Sequence, residues 1–280
     1  MDNIKVGKTI SFLRKQYGLT QRQLAERIGV SDKAVSKWER GVGSPDISLL
    51  SKLAIALDID IESLLEGNLD HLGMQWRGIL ILNYPSGLGA DTQLYDKPLV
   101  YLQLSYFLLM GIRHISVWGS REDMDFIKWK IGNGENLGIS ATYHEQNNIH
   151  YNNVTILGSD EVSQMINRYG GVIIDNVDFI YGKDLTKTFR RIIYDSKGTI
   201  RLENSTGEPL SMLFCHPGRL KKDKHQLQRL ERGVTAFPIK TYSDLQDSAE
   251  LIRVIQGHMH EKVADLDQIA EVRGLINTDK

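Results

Sequence analysis

Apolar positions keep a helical period in the front of this chain and a mixed period behind it. From Ile4 to Glu66 they recur at helical spacing in short runs. Ile4, Ile10 and Leu13 mark a first helix that ends near Tyr17-Gly18. Thr20 stands as N-cap to QRQLAERIG, which Gly29 stops, and Ser31 caps DKAVSKWERG, which Gly41 stops. Pro45-Asp46 opens a fourth helix, ISLLSKLAIALD, and IESLLEG is a fifth. Leu24, Ala25, Ile28, Val35, Trp38 and Leu53 fall on inward faces and are expected core. The period then lapses over GNLDHLGMQW, which carries two glycines. The pattern divides the chain into a domain over 1–67, a linker over 68–76 and a second domain over 77–280.

Behind the linker, strand-like and helix-like runs alternate. Strand candidates are GILILN, HISVWG, SATYHE, VIIDN, FRRIIYD with TIRLEN, MLFCHP and VTAFPI. Helix candidates are PLVYLQLSYFLLMG, EDMDFIKWKIG, SDEVSQMINRYG, KKDKHQLQRLERG and SDLQDSAELIRVIQG. Such alternation predicts an α/β domain with a mostly parallel sheet. Ligands of these sheets sit at the carboxyl ends of the strands.

The second and third helices are joined by a short turn holding Gly29 and Val30. That is the helix-turn-helix arrangement, whose second helix enters a major groove. The stretch LTQRQLAERIGVSDKAVSKWERGVGSPDISLLSKLAIALDIDIESLL resembles the Cro/C1-type (Xre) helix-turn-helix family. The resemblance implies a head that binds a double-stranded DNA operator as a homodimer. It puts Asp32, Lys33 and Lys37 at base edges, with Ser36 on the same outward face. Gln21, Ser31 and Arg40 are placed for phosphates, which position without specifying. Lysine suits guanine acceptors and aspartate can accept from cytosine. Taken alone, Lys33 and Lys37 read equally as a solvated helix face. From Met1 to Pro45, however, nine basic residues stand against four acids, while the whole chain has a net charge of −1. A local excess of that sign is the footprint of a duplex binder.

The second domain carries LYDKPLVYLQLSYFLLMGIRHISVW, IGNGENLGISATYHEQ, IIDNVDFIYGKDL, TIRLENSTGEP, LERGVTAFPI and VADLDQIAEVRGLI. In order and spacing these phrases resemble the sugar-1-phosphate nucleotidyltransferases, above all the glucose-1-phosphate thymidylyltransferases. The resemblance implies a phosphate loop after the first strand, with Gly87 and Gly89 allowing close backbone approach. It also implies a metal carboxylate at Asp175 or Asp178, with Asp175 preferred at the end of an apolar strand, and a sugar contact at Glu203. The departures are chemical. The family's loop carries an arginine and then a lysine, yet from Asn83 to Asp96 this chain has neither. Lys97 belongs to the YDKP phrase and replaces nothing. Where the family has its second metal carboxylate, FPIKTYSD offers Lys240, whose ammonium repels Mg²⁺.

Composition narrows the remaining classes. The only cysteine of the 280 residues is Cys215, so no intrachain disulfide forms, and a buried strand thiol is the expected reading. His258 and His260 flank Met259 without further metal ligands nearby. The start MDNIKVGKTI lacks an apolar signal core and no apolar run reaches membrane-spanning length, so a cytoplasmic protein without membrane contact is expected. The fold class is two domains: an all-α helix-turn-helix head and an α/β, Rossmann-like nucleotidyltransferase-type domain. The expected function is transcription regulation, the second domain sensing a sugar phosphate or nucleotide sugar, dimerising, or both. No cofactor is expected, Mg²⁺ entering only if activity is retained. A bifunctional enzyme and a ligand-free dimerisation scaffold stay open as alternatives.

Overall fold

The computed structural model describes residues 2–16, 19–57, 61–66, 76–145, 160–182, 185–195, 198–218, 226–230, 233–259, 262–272 and 275–276. The chain divides into two compact units, Met1–Leu72 and Gly73–Lys280. Residues 67–75, most of the linker, lie outside the described set.

The first unit holds α1 (Asn3–Gln16), α2 (Gln21–Ile28), α3 (Asp32–Glu39), α4 (Ile47–Ala56) and α5 (Ile61–Glu66). Their boundaries follow local chemistry. The Thr20 hydroxyl accepts from Gln23 N, and the Gln23 side chain returns to Thr20 N at 2.8 Å, a complete capping box. Gly29 closes α2 with φ 78°, the left-handed conformation that favours glycine. The Ser31 hydroxyl accepts from Ala34 N and the Asp46 carboxylate from Ser48 N, capping α3 and α4. Leu24, Ala25, Ile28, Val35, Trp38 and Leu53 are all buried. Ile4 is not; it is 59% exposed, at the open end of α1.

Two details fix α1 against α3. A Cβ added at Gly7 would stand 1.9 Å from the Trp38 carbonyl oxygen, so only glycine lets the helices approach this closely. Farther along, the Arg14 guanidinium is buried. Its Nε and Nη2 donate to the two carboxylate oxygens of Glu39, and its Nη1 donates to the Leu19 carbonyl at 2.6 Å. Gln21 Nε2 donates to Glu39 at 2.8 Å. One carboxylate therefore ties α1, the following turn, α2 and α3. Burial raises the Glu39 pKa, but the hydrogen bonds from Arg14 and Gln21 and the Arg14 charge outweigh it and hold the carboxyl below its usual 4.5.

The second unit is built on a seven-stranded sheet. Its strands are β1 (Arg77–Ile81), β4 (His114–Gly119), β5 (Ser140–Glu145), β6 (Gly171–Ile174), β8 (Thr199–Glu203), β9 (Pro209–Cys215) and β10 (Gln226–Arg229), in the order β10-β8-β9-β6-β1-β4-β5. Pairs β6/β1, β1/β4, β4/β5 and β10/β8 are parallel, and β9 runs antiparallel between β6 and β8. Two small antiparallel pairs join β2 (Gln93–Leu94) to β3 (Lys97–Pro98) and β7 (Asp178–Gly182) to β11 (Val234–Pro238). Helices are α6 (Leu99–Leu109), α7 (Arg121–Ile131), α8 (Asp160–Tyr169), α9 (Leu185–Asp195), α10 (Tyr242–Met259) and α11 (Leu266–Val272), with a 3-10 turn at Glu135–Leu137. One sheet face packs Leu80, Val172, Phe214 and Ile200 into a core with α6, a helix buried along most of its circumference. The other face sets Ile79, Ile81, Ile173, Leu213 and Cys215 against Val162 and Ile166 of α8. Among the described residues no helix is long and apolar enough to cross a membrane.

Four expectations are corrected here. FRRIIYD is helical, within α9. Its β-branched content reads as a strand, but Leu185, Phe189, Ile192 and Ile193 are all buried, and their spacing is that of a helix face. KKDKHQLQRLERG contains a strand, β10; Gln226–Arg229 pair with Ile200–Glu203, and strand pairing overrides helix propensity there. The remainder of that stretch, apart from Leu230 and Gly233, lies outside the described residues. DFIYG, not read as a strand, is β7. Trp76, assigned to the linker, is 2% exposed and meets His216 edge-on at 4.9 Å, which fixes the chain where the sheet begins.

Removing Glu39 leaves a buried guanidinium uncompensated. Glu39→Ala is expected to destabilise the first unit by about 3–5 kcal/mol, seen as faster hydrogen exchange in α1–α3 of the intact chain. A depressed carboxyl pKa stabilises above its unfolded value and loses that contribution as pH falls through the folded one. Exchange in the wild type should therefore accelerate below the ordinary glutamate range, and much less so in the variant.

Candidate functional sites

The first candidate site is the outer face of α3. Val35 and Trp38 root the helix in the core, which turns the opposite side outward. Ser31, Asp32, Lys33, Lys37 and Arg40 are exposed, and Ser36 and Gln21 half-buried. Lys33 and Lys37 are four residues apart and share one face. The remaining groups are engaged locally. Asp32 Oδ1 accepts from Lys33 N at 2.8 Å, Arg40 Nε donates to the Ser36 carbonyl at 3.2 Å, and Gln21 is held on Glu39. The α3 surface thus offers two exposed lysines among shorter polar side chains held by local hydrogen bonds.

The second candidate site lies at the carboxyl ends of β1, β6 and β8. Gly87, Gly89, Asp175 and Glu203 all fall in or beside the segments that leave these strands. The loop after β1 is filled by the chain's own polar groups. Gly89 N donates to the Thr92 hydroxyl at 2.8 Å, and Ala90 N donates to Asp123 Oδ1 at 2.8 Å. A Cβ at Gly89 would stand 3.0 Å from Asp91 Oδ1 and 3.5 Å from Asp123 Oδ1, so carboxylates occupy the space beside it. Gly87 has φ 85° and open space around it. Two loop amides that a phosphate could use already have acceptors, one of them an anion.

Asp175 follows β6 and is 5% exposed. Arg201 of β8 reaches it, Nη2 to Oδ2 at 3.1 Å, while Nη1 donates to the Leu210 carbonyl at 3.0 Å. Asp178, 2% exposed, accepts from Ser211 N at 2.6 Å and from the Ser211 hydroxyl. Burial pushes its pKa up to about 6; the Ser211 hydrogen bonds pull the other way, and the Asp175 charge adds to burial. Lys240 pairs with Glu208, and the Asp178 charge also raises its pKa. Glu203 accepts from Arg229 Nε at 3.2 Å. A divalent cation needs several oxygen ligands free of competing cations. Here Asp175 has a guanidinium on it and Glu208 an ammonium. Among the described residues no group of three or more His, Cys, Asp or Glu could hold a metal ion. The donor set does not fit Mg²⁺.

Sequence reading missed four residues that shape this site. Asp123 and Arg201 supply its internal charges, and Ser211 holds Asp178. Gln103 of α6 is fully buried; its Oε1 accepts from Tyr84 at 2.9 Å and its Nε2 donates to the Asn176 carbonyl at 3.0 Å, linking the loops after β1 and β6. The signal for Gln103 was present, a lone amide in an otherwise apolar helix. Elsewhere, burial pushes the Cys215 thiol up to about 12, which removes it as a nucleophile, and lowers His216 to about 4.

An acid whose folded pKa is raised destabilises the fold as pH rises through that value. Asp178→Asn keeps an acceptor for Ser211 and removes the charge. It is expected to melt at a higher temperature than wild type at pH 8, with the difference vanishing near pH 4, in parallel thermal melts.

The helix-turn-helix family HTH_3 is matched by residues 10–64. YqaE of Bacillus subtilis, named an uncharacterized HTH-type transcriptional regulator, is 32% identical over 86 residues, covering 30% of this chain and 74% of the relative. The P22 c2 repressor, solved in complex with a synthetic operator, is similar at 35% identity over 22% of this chain and 96% of its own, with a TM-score of 0.22. The glucose-1-phosphate thymidylyltransferase of Mycolicibacterium smegmatis is 30% identical over 134 residues, 44% of this chain and 45% of the enzyme. The chain spans less than half the length of the first relatives it matches.

Proposed function

The chain belongs to the helix-turn-helix transcription regulators, and on that premise we propose that its second unit is a sensor for a sugar phosphate or nucleotide sugar without nucleotidyltransferase activity. The observation that carries this reading is the state of the loop after β1. Nucleotidyl transfer needs positive charge where pyrophosphate leaves. From Asn83 to Asp96 there is no lysine or arginine, and the amide of Ala90 is committed to Asp123. The Arg201–Asp175 pair also supports the reading, because a guanidinium stands on the carboxylate that a metal would need. Binding depends less on those side chains. The open space at Gly87 and the polar groups of Gln103 and Tyr84 leave room for recognition without catalysis.

The head meets duplex DNA through α3, with Lys33 and Lys37 at base edges. Two heads in a homodimer read a near-palindrome with half-sites about one helical turn apart. A sensed ligand shifts DNA occupancy only by binding one state better than the other.

Lys37→Ala is expected to lose about 1–3 kcal/mol on the preferred operator and much less on random duplex. Equal loss on both, measured by fluorescence anisotropy, makes Lys37 a phosphate contact instead. For the second unit, pyrophosphate release is assayed with glucose, glucosamine and mannose 1-phosphates, dTTP, UTP, CTP or GTP, and Mg²⁺. No turnover is expected, together with a rise in melting temperature with at least one sugar phosphate or nucleotide sugar. Turnover on the order of 1 s⁻¹ points to a bifunctional enzyme, and no thermal shift with any compound points to a scaffold.

A further inference from the structure

At the amino ends of the strands the second unit carries a row of basic side chains. Arg77 opens β1, His114 opens β4, and the two are register partners on adjacent parallel strands. Arg77 Cζ lies 4.2 Å from the centre of the Tyr169 ring, at the end of α8, and Arg168 Cζ lies 5.0 Å from the same ring. Arg113 precedes His114 in the chain. Arg168 and His114 are exposed, and Arg77 and Arg113 half-buried. The row therefore runs Arg168, Arg77, His114, Arg113 across one helix end and two strands. Burial lowers the His114 pKa, and the like charges of Arg77 and Arg113 lower it further, so the arginines carry the charge at neutral pH.

We propose that this row is a second DNA-contacting surface, in which Arg77, Arg113 and Arg168 take phosphates of the duplex running out from the site bound by the head. The proposal rests on the head binding DNA. Three observations select duplex phosphate as the partner. First, the row itself gathers three guanidinium groups and no acid, whereas acids at the carboxyl ends of the strands carry cations of their own, Arg201 on Asp175, Arg229 on Glu203 and Lys240 on Glu208. Second, the row stands where the chain arrives from the head. Trp76 is buried directly before Arg77, and nine residues separate it from Glu66, the end of α5. A stretch of that length spans at most about 35 Å and keeps a tethered site at roughly millimolar effective concentration. Third, arginine forks match phosphate oxygens. Neighbouring strands stand about 4.8 Å apart, so the row is on the order of 10–15 Å long, three or four base-pair steps.

The test uses the intact chain and a mixed-sequence duplex of about 40 base pairs, with anisotropy read from about 50 to 200 mM KCl. Each phosphate contact adds about 0.9 to the slope of log affinity against log salt. Arg168→Gln should lower that slope by about 0.9 and Arg77→Gln/Arg168→Gln by about 1.8, while Arg77→Lys/Arg168→Lys restores it. An unchanged slope in the glutamine variants, with wild-type binding intact, overturns the proposal and turns the row toward an acidic protein partner. A lysine variant as weak as the glutamine one also overturns it, since packing rather than charge would then be at work. Arg40→Gln, at a phosphate position of the head, serves as the control. If that variant lowers the slope while the Arg77 and Arg168 variants do not, the head reading stands and the second surface falls. If wild type binds no duplex at all, both fall.

Discussion

A charge taken out of water must be matched, and each unit of this chain matches one with a guanidinium–carboxylate pair. Arg14 and Glu39 do so in the head, where both side chains are at most a tenth exposed. Arg201 and Asp175 do so in the sheet, at 15% and 5%. Such pairs contribute little net stability against apolar packing, yet losing one member is severe. What they do provide is geometry. Glu39 accepts from α1 and α2 while sitting on α3, so the angle at which α3 leaves the core is set by hydrogen bonds as well as by Val35 and Trp38. The outward direction of Lys33 and Lys37 follows from that angle.

In the sheet the same kind of pair has a different consequence. The carboxyl ends of parallel strands are where an α/β fold presents loops and helix starts to a ligand. In this unit those groups are paired within the chain. Asp123 takes an amide of the first loop, Arg201 neutralises Asp175, and Lys240 neutralises Glu208. Each internal partner removes a handle that phosphoryl chemistry would use. Asp178 differs: it stays buried beside Ser211 with its pKa raised by burial, and among the described residues its hydrogen bonds come from Ser211.

The head was legible almost residue by residue because its signals are local. Thr20, Gly29, Ser31 and Asp46 act on backbone groups within a few positions of themselves, and the core of Leu24, Val35 and Leu53 follows one period. The absence of cations from Asn83 to Asp96 was equally plain, since a missing charge needs no partner to be seen. What filled the gap was not legible. Asp123 reaches Ala90 across 33 positions and Arg201 reaches Asp175 across 26, and nothing in either neighbourhood announces the other. FRRIIYD failed for a related reason. Seven residues cannot separate a buried strand from a helix face until Leu185 is included in the window.

Under the proposed function, linkage decides how the second unit influences the first. A ligand at the carboxyl ends of the strands acts on DNA only through a difference in its affinity for two states of the whole chain. A tenfold change in occupancy needs about 1.4 kcal/mol of such difference, which is the scale of one hydrogen bond to a charged group. The loop containing Ala90 and the arginine row that includes Arg77 lie at opposite ends of the sheet. The β1 strand joins them: Arg77 begins it, and the loop containing Ala90 follows it. A shift of that strand by a fraction of an ångström would be felt at both ends, because close-packed interiors transmit strain rather than absorb it.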